Sequence, residues 1–244
     1  MPYRRLPNTD LSRIAALQSA IKMEGHKENG ELVLSSQTIR DAQQILSKFK
    51  NLQRQYQQYY DQFIKMSKSF REEQRMAHMY VSHFIQVLNM TIQRGELRKD
   101  IKEGYGLDPD NFKVPTLKSD HDVAQWGEKI IQGEEQRIAH GGVPIYNPNI
   151  AKVKVHFSIF ADHYYNINTL RHNIAKYLQE LTDMRPLVDD LLQDMWNQIE
   201  TCYNDLPLSA KLTKCQQYGI VYFLRSSEKK QIEAEKMQSR LEFI

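Results

Sequence analysis

Glycine and proline are scarce in this chain, at 10 and 8 of 244 residues. Residues 36–94 contain neither. Proline removes a backbone donor and glycine adds conformational freedom, so a chain that avoids both over long stretches reads as helix. Cysteine is almost missing too. With only Cys202 and Cys215, no disulfide framework or cysteine zinc site is expected, and a reducing, cytoplasmic setting is the simplest expectation. No run approaches 18 apolar residues, so no membrane span is expected. The opening "MPYRRLPNTDLSRIAAL" lacks the apolar core of a secretory signal. No charge of one sign dominates: 33 basic against 30 acidic residues give a net charge of +3. Duplex binders show a stronger, clustered excess of positive charge, which makes nucleic acid an unlikely partner.

Two long hydrophobic seams take up much of what is present. From Ile39 the apolar positions recur three and four apart through Ala42, Phe49, Tyr56, Phe63, Phe70, Ala77, Phe84 and Leu88. The seam is weakest at Ser67 and Gln74 and never changes phase, which is the pattern of a long heptad helix. Ser35 or Ser36 supplies an N-cap and Gly95 a stop. A second seam runs from Ile150 through Val153, Phe160, Ile167, Leu181, Leu192 and Met195 to Cys202, with Arg171 and Arg185 as charged exceptions. Pro186 is expected to kink or break it.

The seams read as copies. Each follows a shorter amphipathic segment (Ile14, Leu17 and Ile21; Val123, Trp126 and Ile130), and each is followed by Tyr-Gly-aliphatic (Tyr105-Gly106-Leu107; Tyr218-Gly219-Ile220). The expected fold is therefore all-α: an elongated antiparallel helical bundle built from an internal duplication of short helix, corner, long helix and Tyr-Gly loop. The alternative is a compact six-helix bundle in which each long helix folds into a hairpin. The repeats are placed at 1–107 and 120–225, joined by a linker at 108–119 and packed as one domain. "IVYFLR" after Gly219 has strand character, and residues 226–244 form a charged tail expected to fray. Leu17 and Trp126 should both be buried, as should the pairs Phe49 and Phe160, and Phe84 and Met195.

The stretch "RIAHGGVPIYNPNIAKVKV" (137–155) breaks the helical pattern and matches no Walker or dinucleotide motif. Gly141 or Gly142 is suited to end the short helix, and Asn147 with Pro148 to start the next, so the stretch reads as a corner. The first copy carries "EGHKENGELVLSSQTI" in the same slot.

Little else is chemical. No HExxH, Glu-x-x-His pair or Gly-x-Ser-x-Gly elbow occurs, and the histidines are spaced poorly for one metal, so no cofactor is expected. The best polar cluster is Glu134, Arg137 and His140 on the second short helix, with Glu134–Arg137 expected as a surface ion pair. Arg171 and Arg185 lie on a seam and call for acidic partners such as Asp61, Asp183 or Asp189. The expected function is that of a non-catalytic interaction or scaffold protein using its long helical faces, with a protein partner or a second copy bound. A ligand-binding or enzymatic bundle with its site near Arg171 and Arg185, and a weak nucleic-acid binder, are the alternatives.

The segments "YVSHFIQVLNMTIQRGEL", "WGEKIIQGEEQRIAHGGVPIYNPNIAKVKV" and "YGIVYFLR" resemble a family of uncharacterised all-helical bacterial proteins, over the span from "RLPNTD" to Arg225. That resemblance implies an all-α fold and carries no established activity or site residue.

Overall fold

The computed structural model describes residues 2–26 and 32–241. Its helices are α1 (Asp10–Gly25), α2 (Ser36–Gln93), a 3-10 helix (Lys99–Tyr105), α3 (Asp120–Ala139), α4 (Ile150–Cys202), α5 (Leu208–Gln217) and α6 (Ser226–Leu241). A two-residue β1 (Tyr3–Arg4) pairs antiparallel with β2 (Tyr222–Phe223). The chain is all-α, as its composition and periodicity require. No helix among the described residues is long and apolar enough to cross a membrane.

Both seams form unbroken helices, of 58 residues in α2 and 53 in α4. The hairpin alternative therefore does not occur: α2 runs through Ser67 and Gln74, and α4 continues past Pro186. Ser35 Oγ caps α2 by accepting from Thr38 N at 3.1 Å. Asn149, and not Asn147, caps α4, accepting from Lys152 N at 2.9 Å. Gly141 takes the left-handed conformation (φ 87°) expected at the end of α3. Of the first corner, residues 27–31 lie outside the described residues.

The chain divides into two compact units. Unit one comprises residues 1–58 and 174–244, and unit two residues 59–173. Each long helix thus contributes one end to each unit, a division that cuts across the repeats read from sequence. Within unit two α2 and α4 run antiparallel, since Glu73 meets His163 while Tyr80 stacks on His156 at 4.3 Å. The core of unit two gathers Phe70, Phe84, Ile130, Val153 and Phe160. That of unit one gathers Leu17, Phe49, Leu192, Met195 and Trp196.

The units are assembled from matching parts. Thr9 caps α1 in a capping box with Ser12, and Ser119 caps α3 in a capping box with Asp122. Asp10, in the first turn of α1, accepts both bonds of the Arg185 fork, and Asp120, in the first turn of α3, accepts from Gln74. Phe49 and Phe160 are fully buried, as are Phe84 and Met195. Trp126 departs from expectation. It is only half-buried, with Lys129 Nζ 4.6 Å from its ring centre. The capping boxes set α1 against α3 so that Gly127, not Trp126, occupies the place of Leu17.

Gly127 exists to admit a ring. A Cβ there would lie 2.1 Å from the Phe157 side chain, far inside contact distance. Gly127→Ala should therefore cost about 1–3 kcal/mol as an overpacked core position, read as a lowered urea midpoint. A midpoint equal to that of the parent would mean that Phe157 has room to move.

The C-terminal segment, expected as a charged tail, carries α6. α6 packs on α5, and Glu235 there accepts from Ser209 N at 2.8 Å. The strand character of "IVYFLR" is realised at Tyr222–Phe223, whose partner Tyr3–Arg4 had no legible strand pattern.

Candidate functional site

Glu134 sits near the end of α3, where the next loop and the 3-10 helix converge on it. Its side chain is fully buried. A buried carboxylate survives only if its lone pairs are matched by donors, and here they are. Arg137, one turn on, bonds both oxygens at 2.8 and 2.9 Å. Ile145 N donates at 3.1 Å, and the hydroxyl of Tyr105 donates to the second oxygen. Arg137 also donates to Tyr105 Oη at 2.9 Å and to the carbonyl of Val143 at 2.8 Å. The expected surface ion pair is thus a buried clasp that ties α3, the 3-10 helix and the 143–145 loop together.

Gly133 makes the clasp possible. A Cβ at that position would meet the Tyr105 ring at 2.6 Å and the Gly104 carbonyl at 2.8 Å, so only glycine lets the 3-10 helix approach α3 closely. Gly106, just after Tyr105, is left-handed (φ 67°) and turns the chain there.

Unit one repeats the device, without a cation among the described residues. Glu24, near the end of α1, is buried and accepts from Tyr218 Oη at 2.8 Å. It also accepts from Val33 N at 3.1 Å and Leu34 N at 3.3 Å. Tyr218 precedes left-handed Gly219 just as Tyr105 precedes Gly106. The Tyr-Gly tripeptides were legible as a repeat. Their role as donors to a carboxylate on a different helix was not, because the two residues of each pair are 29 and 194 positions apart.

Burial alone raises the Glu134 carboxyl, but the bonds from Arg137, Tyr105 and Ile145 outweigh it and hold the group below its ordinary value of 4.5. A depressed carboxyl contributes stability that is present above the unfolded value and lost as pH falls through the lower folded one. Burial, joined by the bond to Glu134, pushes the Tyr105 phenol well above its ordinary 10.0. Burial likewise raises Tyr218, aided by Tyr203 and Glu24, and Tyr222, aided by Glu200. Raised phenols stabilise the fold fully below the unfolded value near pH 10, and that contribution is lost as pH rises through the folded value. In an alkaline titration followed by phenolate absorbance, Tyr105, Tyr218 and Tyr222 should stay protonated past about pH 10 and ionise only as the protein unfolds. Ionisation of all 13 tyrosines in one early phase, before unfolding, would contradict this.

The other expected site residues do not join the clasp. His140 ends α3 exposed, its Nδ1 paired with the Gln136 carbonyl at 2.6 Å. Arg171 is exposed in unit two, bonded to Asn168 at 3.3 Å and lying 5.7 Å from the Phe63 ring centre. Arg185 belongs to unit one and forms a two-pronged pair with Asp10 at 2.8 Å, a partner that sequence spacing did not suggest. Asp189 instead takes Arg13, and Asp183 accepts from Gln179. Among the described residues no group of three His, Cys, Asp or Glu side chains is arranged to hold a metal ion.

The clasp does shape a surface. Because Arg137 holds the Val143 carbonyl and Glu134 holds Ile145 N, the loop is fixed while Ile145 turns inward and its neighbours turn out. Tyr146 is 84% and Val143 69% exposed. Beside them opens a pocket of about 450 Å3 lined by Val87, Thr91, Leu97, Pro144 and Ile145, with the Arg94–Glu96 ion pair at its edge. No family model, curated protein or solved structure matches the chain, so what this surface does must be read from its own residues.

Proposed function

We propose that the protein is a non-catalytic interaction protein that docks a partner protein on the 143–147 loop and the adjoining pocket of unit two. The observation that carries this reading is Tyr146, a large aromatic side chain left 84% exposed on a loop whose backbone is anchored from both sides. Exposed tyrosines beside an apolar pocket are what interface hot spots use, and a fixed backbone lowers the ordering cost of association. The polar groups nearby are consumed by one another: Glu134 by four donors, Arg94 by Glu96. A catalytic reading built on Arg171 and Arg185 has less support, since the two belong to different units and Arg185 is engaged by Asp10. The two unpaired cysteines support a cytoplasmic setting.

The test places a photo-reactive amino acid at 146, at 143 or at the exposed control position of Gln58, in cells that make the protein. A discrete adduct is expected from 146 and 143 and none from 58. An adduct of twice the protomer mass identifies self-association, and one of another mass identifies a different protein partner. No adduct, or equal adducts from all three positions, rejects the reading. A nucleic-acid partner would instead produce a gel shift that weakens steeply with salt.

A further inference from the structure

The matching of the two units exposes a difference between them. The capping boxes set Ala16 of α1 against Trp126 of α3, and Ser19 against Lys129. An independent contact confirms the second pairing. A Cβ on Gly106 would meet the Lys129 side chain at 3.3 Å, and one on Gly219 would meet the Ser19 side chain at 3.2 Å. In unit two the groove beside the Tyr-Gly turn is therefore covered by an indole with an ammonium over its face, 4.6 Å from the ring centre. In unit one the same helix face carries alanine and serine, and the groove is an open cleft of about 400 Å3. That volume lies within the usual range of about 300–1,000 Å3 for small-molecule sites.

The walls of this cleft specify an occupant. Ala15, Ala16, Pro7 and Trp196 make it mostly apolar. Trp196 is 1% exposed, and its indole N–H has no hydrogen-bond acceptor among the described residues. Arg5 stands at the rim, exposed, with its guanidinium 5.4 Å from the Phe223 ring centre. The Asn8 carbonyl oxygen, in the amide orientation that satisfies both its atoms, accepts from Arg5 Nη2 at 3.0 Å. Neighbouring Arg4, Arg13 and Arg185 each have a carboxylate, whereas Arg5 has none among the described residues. The cleft thus offers an aromatic-sized apolar space, a cation free for an anion, and a counterpart in unit two filled by an aromatic ring beneath a cation.

We propose that the unit-one cleft binds a small aromatic carboxylate, its ring seated over Ala16 and Gly219 in the place that Trp126 takes in unit two, and its carboxylate paired with Arg5. A forked Arg–carboxylate bond and a guanidinium near a ring both favour this pairing. The site is separate from the 143–147 surface, so it stands or falls independently of the docking function.

The chain has two tryptophans, so its nitrogen-labelled indole N–H signals number two, and Trp126→Phe assigns them. Titration with 2-naphthoate should shift the Trp196 signal saturably. Neutral 2-naphthamide, and 2-naphthoate added to Arg5→Gln, should each bind roughly tenfold more weakly, the loss of one charge-assisted bond. Ala16→Trp should abolish the shift by filling the cleft as Trp126 does. Should that variant lose the dispersed spectrum of the folded protein, Ala16→Leu makes the same test with a smaller apolar side chain. No saturable shift at Trp196, a shift that survives in the filled variant, or equal binding of acid and amide would each overturn the proposal.

Discussion

Truncating Phe160 to alanine should destabilise unit two by about 3–5 kcal/mol, the range for deleting a large aromatic side chain from a core. Phe160 is fully buried beside three rings: Phe70 at 5.6 Å, Tyr164 at 5.7 Å and Phe157 at 6.1 Å between centres. Part of the loss is apolar area, part the cavity that neighbouring rings cannot collapse into, and part the ring–ring geometry itself. Urea unfolding gives the number directly. Two comparisons frame it. Trp126→Ala should cost clearly less than Phe160→Ala, because that indole is only half-buried, with Lys129 Nζ 4.6 Å from its ring centre. Gln58→Ala, at an exposed position, should stay within about 0.5 kcal/mol. A loss below about 1 kcal/mol at Phe160 would mean that the core of unit two repacks freely.

Glu134→Ala should cost a similar 3–5 kcal/mol, through a different mechanism. The substitution removes little apolar area. It strands the mostly buried guanidinium of Arg137, the hydroxyl of Tyr105 and the amide of Ile145, all of which lose their shared acceptor. Removing the cation as well should restore part of the loss, because no uncompensated charge then remains. The double variant Glu134→Leu with Arg137→Met should therefore be more stable than Glu134→Ala alone. Glu24→Ala should cost less than Glu134→Ala, since Glu24 takes only neutral donors among the described residues. If Glu134→Ala proved as mild as an exposed substitution, the clasp would not be what holds the 143–147 loop. The exposure of Tyr146 would then lose its physical cause.

Much of this molecule was legible before any coordinates. A seam of apolar residues three and four apart, with no glycine or proline to interrupt it, leaves the backbone no better solution than a long helix. α2 accordingly passes through Ser67 and Gln74, because local propensity and hydrogen bonding continue where side-chain burial weakens. Pro186 is the informative exception. One missing donor was not enough to end a helix flanked by buried Met184 and Val188. The repeat was legible as a pattern but misaligned by one residue in the short helices, since Trp126 is the larger apolar signal and Gly127 the position that packs. The capping boxes at Thr9 and Ser119 carried the true alignment in the sequence.

The candidate site was legible only as a list. Sequence placed Glu134 and Arg137 on one helix face, and no local rule could say whether that face met water or a neighbour. Burial turned a surface pair into a clasp, and burial comes from Tyr105 and Ile145, brought in by the packing of other elements. The same holds for Asp10 and Arg185, which lie 175 positions apart. Periodicity acts over one or two turns, so the sequence by itself determined the helices and their duplicated order. Pairings between distant helices depend on which faces meet, and only the tertiary structure decided that the buried carboxylates tie loops down and that Tyr146 is held out.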